Sequence, residues 1–353
     1  MGPFTKKSAP VLGVDIGSAA IKVVELKQQG GRYQVESYAV EPLPQNAVVE
    51  KNINDVDAVS RAVKSAVKRS QSRLKEAATA VPASSAISRS LVLDGDLRED
   101  DMEAQVNIQA EQYIPYPLEE VNLDFQVQGP AKGGDAGEVE VLLVASRSEN
   151  VEIRVDALSE AGLTARVMDV DSYALENAME VIHPTLGGGS DQTVAVVDIG
   201  ATVTSLTVFE NGAIVYTRDQ VFGGRQLTEE IARRFDMDQE EAERYQKQGG
   251  LPDSYETEVL QPFREAMAQQ VNRSLQFFFG ASQHNSVDQL VVAGGCAGID
   301  GAGDVIADAT GTETTVANPF SQMSVSSRIK PQQLANDAPA LMTACGLALR
   351  SFD

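Results

Sequence analysis

Residues 193–216 read TVAVVDIGATVTSLTVFENGAIVY, and their plan decides how the rest of the chain is read. A hydrophobic run leads to Asp198, folds back through Ile199-Gly200 and small residues, and resumes as a second β-branched run before the Asn211-Gly212 turn. Residues 11–38, VLGVDIGSAAIKVVELKQQGGRYQVESY, repeat the plan. Asp15 stands for Asp198, Gly17 for Gly200, Ser18 for Ala201, Val14 for Val197 and Val23 for Leu206, and Gly30-Gly31 makes the second turn. The spacing predicts one β-hairpin unit, duplicated.

Such a turn has a chemistry. A strand that ends in Asp and folds back through Gly brings backbone N–H groups close to a phosphate, because no Cβ intervenes. Two facing turns grip one polyphosphate. Asp15 and Asp198 are poor phosphate ligands themselves but hold Mg²⁺ through its water shell, as that reluctantly dehydrated cation prefers. An ordinary β-turn is the alternative for either copy alone.

Outward from the two hairpins, composition sets bounds. At 353 residues, with 42% hydrophobic and 23% charged residues, the chain can build two domains with their own cores. A net charge of −22 disfavours nucleic acid and anionic lipid, so neither is expected as a direct partner. The basic cluster between Arg61 and Lys75 reads as the solvated face of a helix. Cys296 and Cys345 lack CxxC spacing and read as buried thiols, and with only His183 and His284 neither a histidine metal site nor a Ser-His-Asp triad is expected. No apolar run reaches the roughly 20 residues that span a bilayer, and MGPFTKKSAP has no hydrophobic segment of a signal peptide.

Between the hairpins, helical spacing of Val56, Val59, Val63, Ala66 and Val67 behind Asn54 or Asp55 as cap predicts a helix, followed by a strand at 77–81. Residues 84–162 change pattern to strand, helix (100–113, stopped by Pro115 and Pro117), two strands joined by a Gly129–Gly137 turn, and a helix capped by Gly162. The glycine run at 186–190 is the linker candidate. Gly223-Gly224 ahead of Leu227, Ile231 and Phe235 either presents helical N–H groups to an anion or is a simple turn. Glu243 and Lys247, four apart, share a helix face and in themselves read as an exposed ion pair. Gln289–Ala293 runs into GGCAGIDG, where Gly294, Gly295 and Gly298 would let a flat adenine and its sugar lie against backbone.

VLGVDIGSAAIK, VAVVDIGATVTSL and VVAGGCAGIDG, in this order, resemble the actin, hexokinase and heat-shock chaperone superfamily of ATP-binding folds. AEQYIPYPLEEVNLDFQV (110–127), VFGGRQLTEEIA and ALMTACGLALR are similar to the PilM family of type IV pilus assembly proteins, relatives of the cell-division protein FtsA. The resemblance implies an α/β, actin-like (ribonuclease H-like duplicated) two-lobed ATPase fold with an inserted FtsA-type small subdomain. Lobe 1 would span 1–189, with core 1–83 and 163–189 around an insert at 84–162. Lobe 2 would span 190–337, with core 190–225 and 287–337 and a nucleoside-covering helical part at 226–286, and 338–353 would return to lobe 1. ATP with Mg²⁺ would lie in the cleft. Asp15, Gly17 and Ser18 would form one phosphate loop and Asp198, Gly200, Thr202 and Thr204 the other, with the direction of Lys22 left open by strand alternation. Glu243 and Lys247 would meet ribose and adenine. Asp169 and Asp171 are the candidates for activating water, and turnover is expected to be slow at most.

The same resemblance implies a cytoplasmic scaffold that docks the N-terminal cytoplasmic peptide of PilN, links it to the pilus motor ATPases, and meets the inner membrane only through that partner. FtsA-like proteins end in an amphipathic helix, whereas this chain reads LALRSFD at its end. Self-association into an actin-like filament is the alternative. A small-molecule kinase is disfavoured because no acceptor base is evident. Tyr113, Ile114 and Tyr116 either pack inward or form one wall of a peptide groove between the insert and lobe 1.

Overall fold

The computed structural model describes residues 10–131, 133–135, 137–187, 189 and 191–352. The two hairpins form as the repeat predicts. In the first, β1 (Leu12–Ile16), β2 (Ala20–Gln29) and β3 (Arg32–Pro42) pair antiparallel in succession. The short hairpin β4 (Val48–Val49) and β5 (Asn52–Ile53) follows, then α1 (Val56–Ser70) and β6 (Glu76–Val81). Asp55 is the cap of α1, accepting from the Ala58 amide at 2.9 Å, and Lys68 and Arg69 complement the dipole at its far end.

The inserted unit comprises β7 (Ala86–Asp94), α2 (Glu99–Ala110), β8 (Val121–Pro130), β9 (Glu138–Arg147) and α3 (Ser148–Glu160). Its three strands are ordered β7-β9-β8, and Met102, Val106 and Ala110 of α2 pack on Leu91, Leu93, Val141 and Leu143. Gly162, with φ +84, ends α3 as its composition requires. Then come β10 (Thr164–Val170) and α4 (Asp171–Ile182); of the linker candidate at 186–190, residues 188 and 190 lie outside the described residues.

The second copy of the plan comprises β11 (Thr193–Ile199), β12 (Thr204–Glu210) and β13 (Ala213–Gln220), followed by α5 (Arg225–Phe235), α6 (Gln239–Gln248), α7 (Gln261–Ala281), β14 (Gln289–Ala293), α8 (Ala302–Thr310), β15 (Thr314–Val316), β16 (Ser324–Val325), α9 (Pro331–Asp337) and α10 (Met342–Leu349). The sheet orders are β10-β6-β1-β2-β3-β16 and β13-β12-β11-β14-β15. Read from the hairpins outward they match: β1 and β11 each have an antiparallel hairpin on one side and parallel strands on the other. The repeat is therefore one of topology as well as of sequence.

Two helices join the sheets. Leu175, Ala178 and Met179 of α4 pack on the second sheet, and Ala344, Cys345 and Ala348 of α10 pack on the first. They cross where Gly346 meets Ala174, and a Cβ at Gly346 would overlap the Ala174 carbonyl. On the opposite side of α10, a Cβ at Gly13 of β1 would lie 2.6 Å from the Ala348 amide nitrogen. Small residues at these points set how closely the sheets approach and hence the width of the cleft.

Candidate functional site

The two Asp-Ile-Gly turns are built alike. The Gly17 amide donates to the Ala20 carbonyl at 3.2 Å, and the Gly200 amide to the Val203 carbonyl at 3.0 Å, the same bond at the same offset in each copy. The amides of Ser18, Ala19, Ala201 and Thr202 donate to no backbone carbonyl among the described residues. The turns also meet: Thr202 Oγ1 donates to Ser18 Oγ at 3.0 Å across the cleft. Four uncommitted amides and two hydroxyls converging from two sheets make a donor set that fits polyphosphate oxygens.

Charges gather beneath them. Lys22 turns into the cleft, with Nζ 2.8 Å from Asp15 Oδ2 and beside Gly17, where a Cβ would come within 2.9 Å of it. Burial alone would lower the Lys22 pKa, but Asp15 outweighs it and holds the ammonium above its usual range. Burial pushes the Asp198 carboxyl up, against the pull of Lys22 and Lys51. Its site therefore favours a cation that would compensate the buried charge, which fits Mg²⁺ held by a carboxylate and phosphate oxygens.

Glycines bring the third strand end to this point. Gly294, at φ +88, has an added Cβ position 2.6 Å from the Ile199 carbonyl carbon and in collision with Asp198. No side chain fits between β14 and the second turn. Gly295 borders open space, and Gly298 has Asn336 O at 3.8 Å as the neighbour of an added Cβ. Gly224 abuts Cys296, whose thiol is pushed up to about 12 by burial and stays neutral.

Four expectations change. The Gly224 and Arg225 amides at the start of α5 donate to the Gly200 and Ala201 carbonyls at 3.0 and 2.8 Å, so Gly223-Gly224 cradles the second turn instead of offering those amides to an anion. Thr204 is 1% exposed and its hydroxyl donates to the Phe222 carbonyl, which removes it from the phosphate loop. Asp169 is buried and accepts from Arg350 Nε at 2.7 Å, tying β10 to the chain end; of the two acids only Asp171 reaches the cleft. Ile114, 5% exposed, belongs to the core of the inserted sheet, while Tyr113 and Tyr116 are 42% and 41% exposed. Glu243 is half-buried on α6, which Gln246 ties to Thr228 of α5 at 3.0 Å, and the side chain of Lys247 lies outside the described ones.

The cleft also holds residues that the motif reading missed. Lys51 Nζ, from the β4–β5 turn, lies 2.8 Å from Asp171 Oδ2, 2.9 Å from Ser205 Oγ and 3.5 Å from Asp219 Oδ2. No local pattern marks Lys51; the signal is tertiary.

A family model described as type IV pilus assembly protein PilM matches residues 13–352. The chain belongs to the PilM family of type IV pilus assembly proteins. Among solved structures it is similar to a chain of the PilM-PilN type IV pilus biogenesis complex, with 29% identity and a TM-score of 0.79 over 98% of this chain and 99% of that one. It is also similar to the ethanolamine utilization protein EutJ from Carboxydothermus hydrogenoformans, with 21% identity and a TM-score of 0.56 over 99% and 91% of the two chains, a likeness of fold. With both chains it shares a two-sheet α/β architecture, carried here by a PilM-family pilus assembly protein.

The raised pKa of Asp198 has a consequence for stability. A carboxyl that holds its proton more tightly folded than unfolded contributes stability at low pH, and that contribution is lost as pH rises through its folded value. Above it the buried charge works against the fold. Asp198→Asn is therefore expected to raise the Tm of the nucleotide-free PilM-family protein at neutral pH, by about 1–2 °C for each kcal/mol of charge burial relieved. The gain should vanish near pH 4, and a Tm at neutral pH below the wild-type value would refute it.

Proposed function

We propose that this PilM-family protein binds Mg-ATP in the cleft between the two sheets and serves as a cytoplasmic scaffold of the type IV pilus inner-membrane machinery. The observation that carries the nucleotide reading is the meeting of two identically built turns, Gly17–Ser18 and Gly200–Thr202, through the Ser18–Thr202 bond. Asp15 and Asp198 would hold Mg²⁺ through water, Lys22 would contact phosphate, and Gly294 would admit the nucleoside to the third strand end. Mg²⁺ would supply charge neutralisation of the phosphates when bound. The protein's own part is to orient the polyphosphate through backbone amides and to close two lobes on it; nucleotide then acts as a conformational signal. The lobes fall at 1–189 and 190–337 in this reading, with the insert at 84–162 and the last helix returning to the first lobe.

The partner reading rests on family membership and on the likeness to the PilM-PilN complex. The N-terminal cytoplasmic segment of PilN would dock beside the insert, where Tyr113 and Tyr116 are exposed and Arg147 stacks over the Tyr116 ring at 5.1 Å from its centroid. A rigid aromatic wall of this kind suits an extended apolar peptide. Membrane contact would then come through the partner; no helix of the described residues is long and apolar enough to cross a bilayer.

Titration of a PilN N-terminal peptide tests this. Wild-type protein should bind it, and Tyr113→Ala should weaken binding at least about tenfold, roughly 1.4 kcal/mol, while Mg-ATP affinity stays near normal. A variant that keeps the peptide at wild-type affinity overturns the assignment of the wall, and a wild type that fails to bind overturns the partner.

A further inference from the structure

The tip of the β4–β5 hairpin is strained. Glu50 and Lys51 adopt left-handed conformations, φ 48° and 67°, which residues with a Cβ avoid. One side chain holds the tip from outside: Arg154 of α3, 3% exposed. Its Nη2 donates to the Lys51 carbonyl, its Nε to the Ala80 carbonyl at the end of β6 and its Nη1 to the Asn150 carbonyl, each at 2.9 Å. A buried guanidinium that spends its donors on the hairpin tip, on β6 and on its own helix fixes their relative positions. It costs desolvation to keep there, which pulls its pKa down to about 10 while leaving it charged at neutral pH.

What Arg154 positions is an ammonium in the cleft. Lys51 Nζ reaches from the first lobe to Ser205 and Asp219 on the second, with Asp171 between. The duplication gives this position its meaning. In the first hairpin Asp15 pairs across the ladder with Lys22, and in the second Asp198 pairs with Ser205. The second turn thus lacks a cation of its own where the first has Lys22, and Lys51 brings one to that place from the opposite lobe.

We propose that Lys51 is a phosphate ligand of the cleft and that Arg154 is its positioning residue, so that occupancy of the cleft and the setting of α3 in the inserted unit are coupled. This rests on the Mg-ATP reading above. A phosphate between the two turns offers Lys51 a charge-assisted acceptor in place of Ser205 and Asp219. As the ammonium moves, the strained tip moves with it, and the Lys51 carbonyl carries the shift to Arg154 and α3. The coupling is reciprocal: a partner that moves α3 changes nucleotide affinity by the same factor.

Hydrogen exchange of the full chain with and without Mg-ATP, alongside calorimetry, tests the assignment. In wild type, Mg-ATP should slow exchange of 48–53 and 148–160 together, by about threefold or more. Arg154→Lys keeps the charge but cannot span three carbonyls; it should weaken Mg-ATP binding, by less than Lys51→Met does, retain the hairpin response and lose that of α3. Lys51→Met, at a half-buried position that belongs to none of the hydrophobic cores, should lose both responses and bind Mg-ATP about tenfold more weakly. An α3 response undiminished in Arg154→Lys, or wild-type affinity in Lys51→Met, overturns the proposal while the nucleotide reading stands. A wild type that binds no Mg-ATP overturns both.

Discussion

Gly346→Ala is expected to give a protein that unfolds about 5 °C below wild type or fails to accumulate in folded form. In isolation the change favours the helix by about 1 kcal/mol, since Ala outranks Gly at an interior position. The packing term is larger and of opposite sign. The new Cβ would overlap the Ala174 carbonyl of α4 and come within 2.6 Å of its carbon, a backbone group with no rotamer to yield. Relief requires α10 to move away from α4, yet α10 is buried along nearly its whole length, with Gly13 of β1 against its other side. Overpacking at a rigid contact of this kind costs about 3–5 kcal/mol, the upper range for one substitution. Each kcal/mol is worth about 1–2 °C in Tm at this chain size. Gly295→Ala is the control, because a Cβ there meets nothing within 4 Å. Thermal unfolding that placed both variants beside wild type would show that the two helices do not set the spacing of the sheets.

Asp198→Ala and Asp15→Ala are expected to weaken Mg-ATP binding at least tenfold each, about 1.4 kcal/mol or more, with the fold retained. Asp198 stands at the end of β11, enclosed by the Gly294 turn and half-buried, so its charge is placed where water screens it little. Asp15 stands at the matching end of β1 and also holds Lys22 at 2.8 Å; its loss removes both a metal site and the anchor of a phosphate-facing ammonium. Chelation of Mg²⁺ from wild type should lower affinity to a similar degree, since both carboxylates act through the metal. Calorimetry with both variants at wild-type affinity would remove the two-turn account.

What the sequence made legible, and what it hid, divides by range. The Asp-Ile-Gly turns close within a few residues, each by one bond from the glycine amide, so the pattern of residues determines the geometry and its duplication is visible as a repeat. Gly294 was legible for a related reason: close approach to a backbone leaves an unambiguous residue type. Contacts between distant segments were hidden. The Lys51–Ser205 bond joins residues 154 apart and the Asp169–Arg350 bond residues 181 apart, and nothing in the sequence around either residue of a pair points to its partner. Gly223-Gly224 shows the same limit from the other side. A glycine pair before a helix has free amides in isolation, and only its docking under Gly200 and Ala201 shows that they are spent. Thr204 and Ile114 were assigned from sequence neighbourhood, whereas strand pairing and burial decide where their side chains go.

The central claim is that two duplicated turns grip one Mg-bound polyphosphate between the sheets, and a crystal structure with Mg²⁺ and a non-hydrolysable ATP analogue tests it most directly. The account predicts phosphate density between Gly17–Ser18 and Gly200–Thr202, a metal within one water of Asp15 and Asp198, and the base against the turn at Gly294. Nucleotide bound elsewhere, or a cleft without it at saturating analogue, would contradict the account.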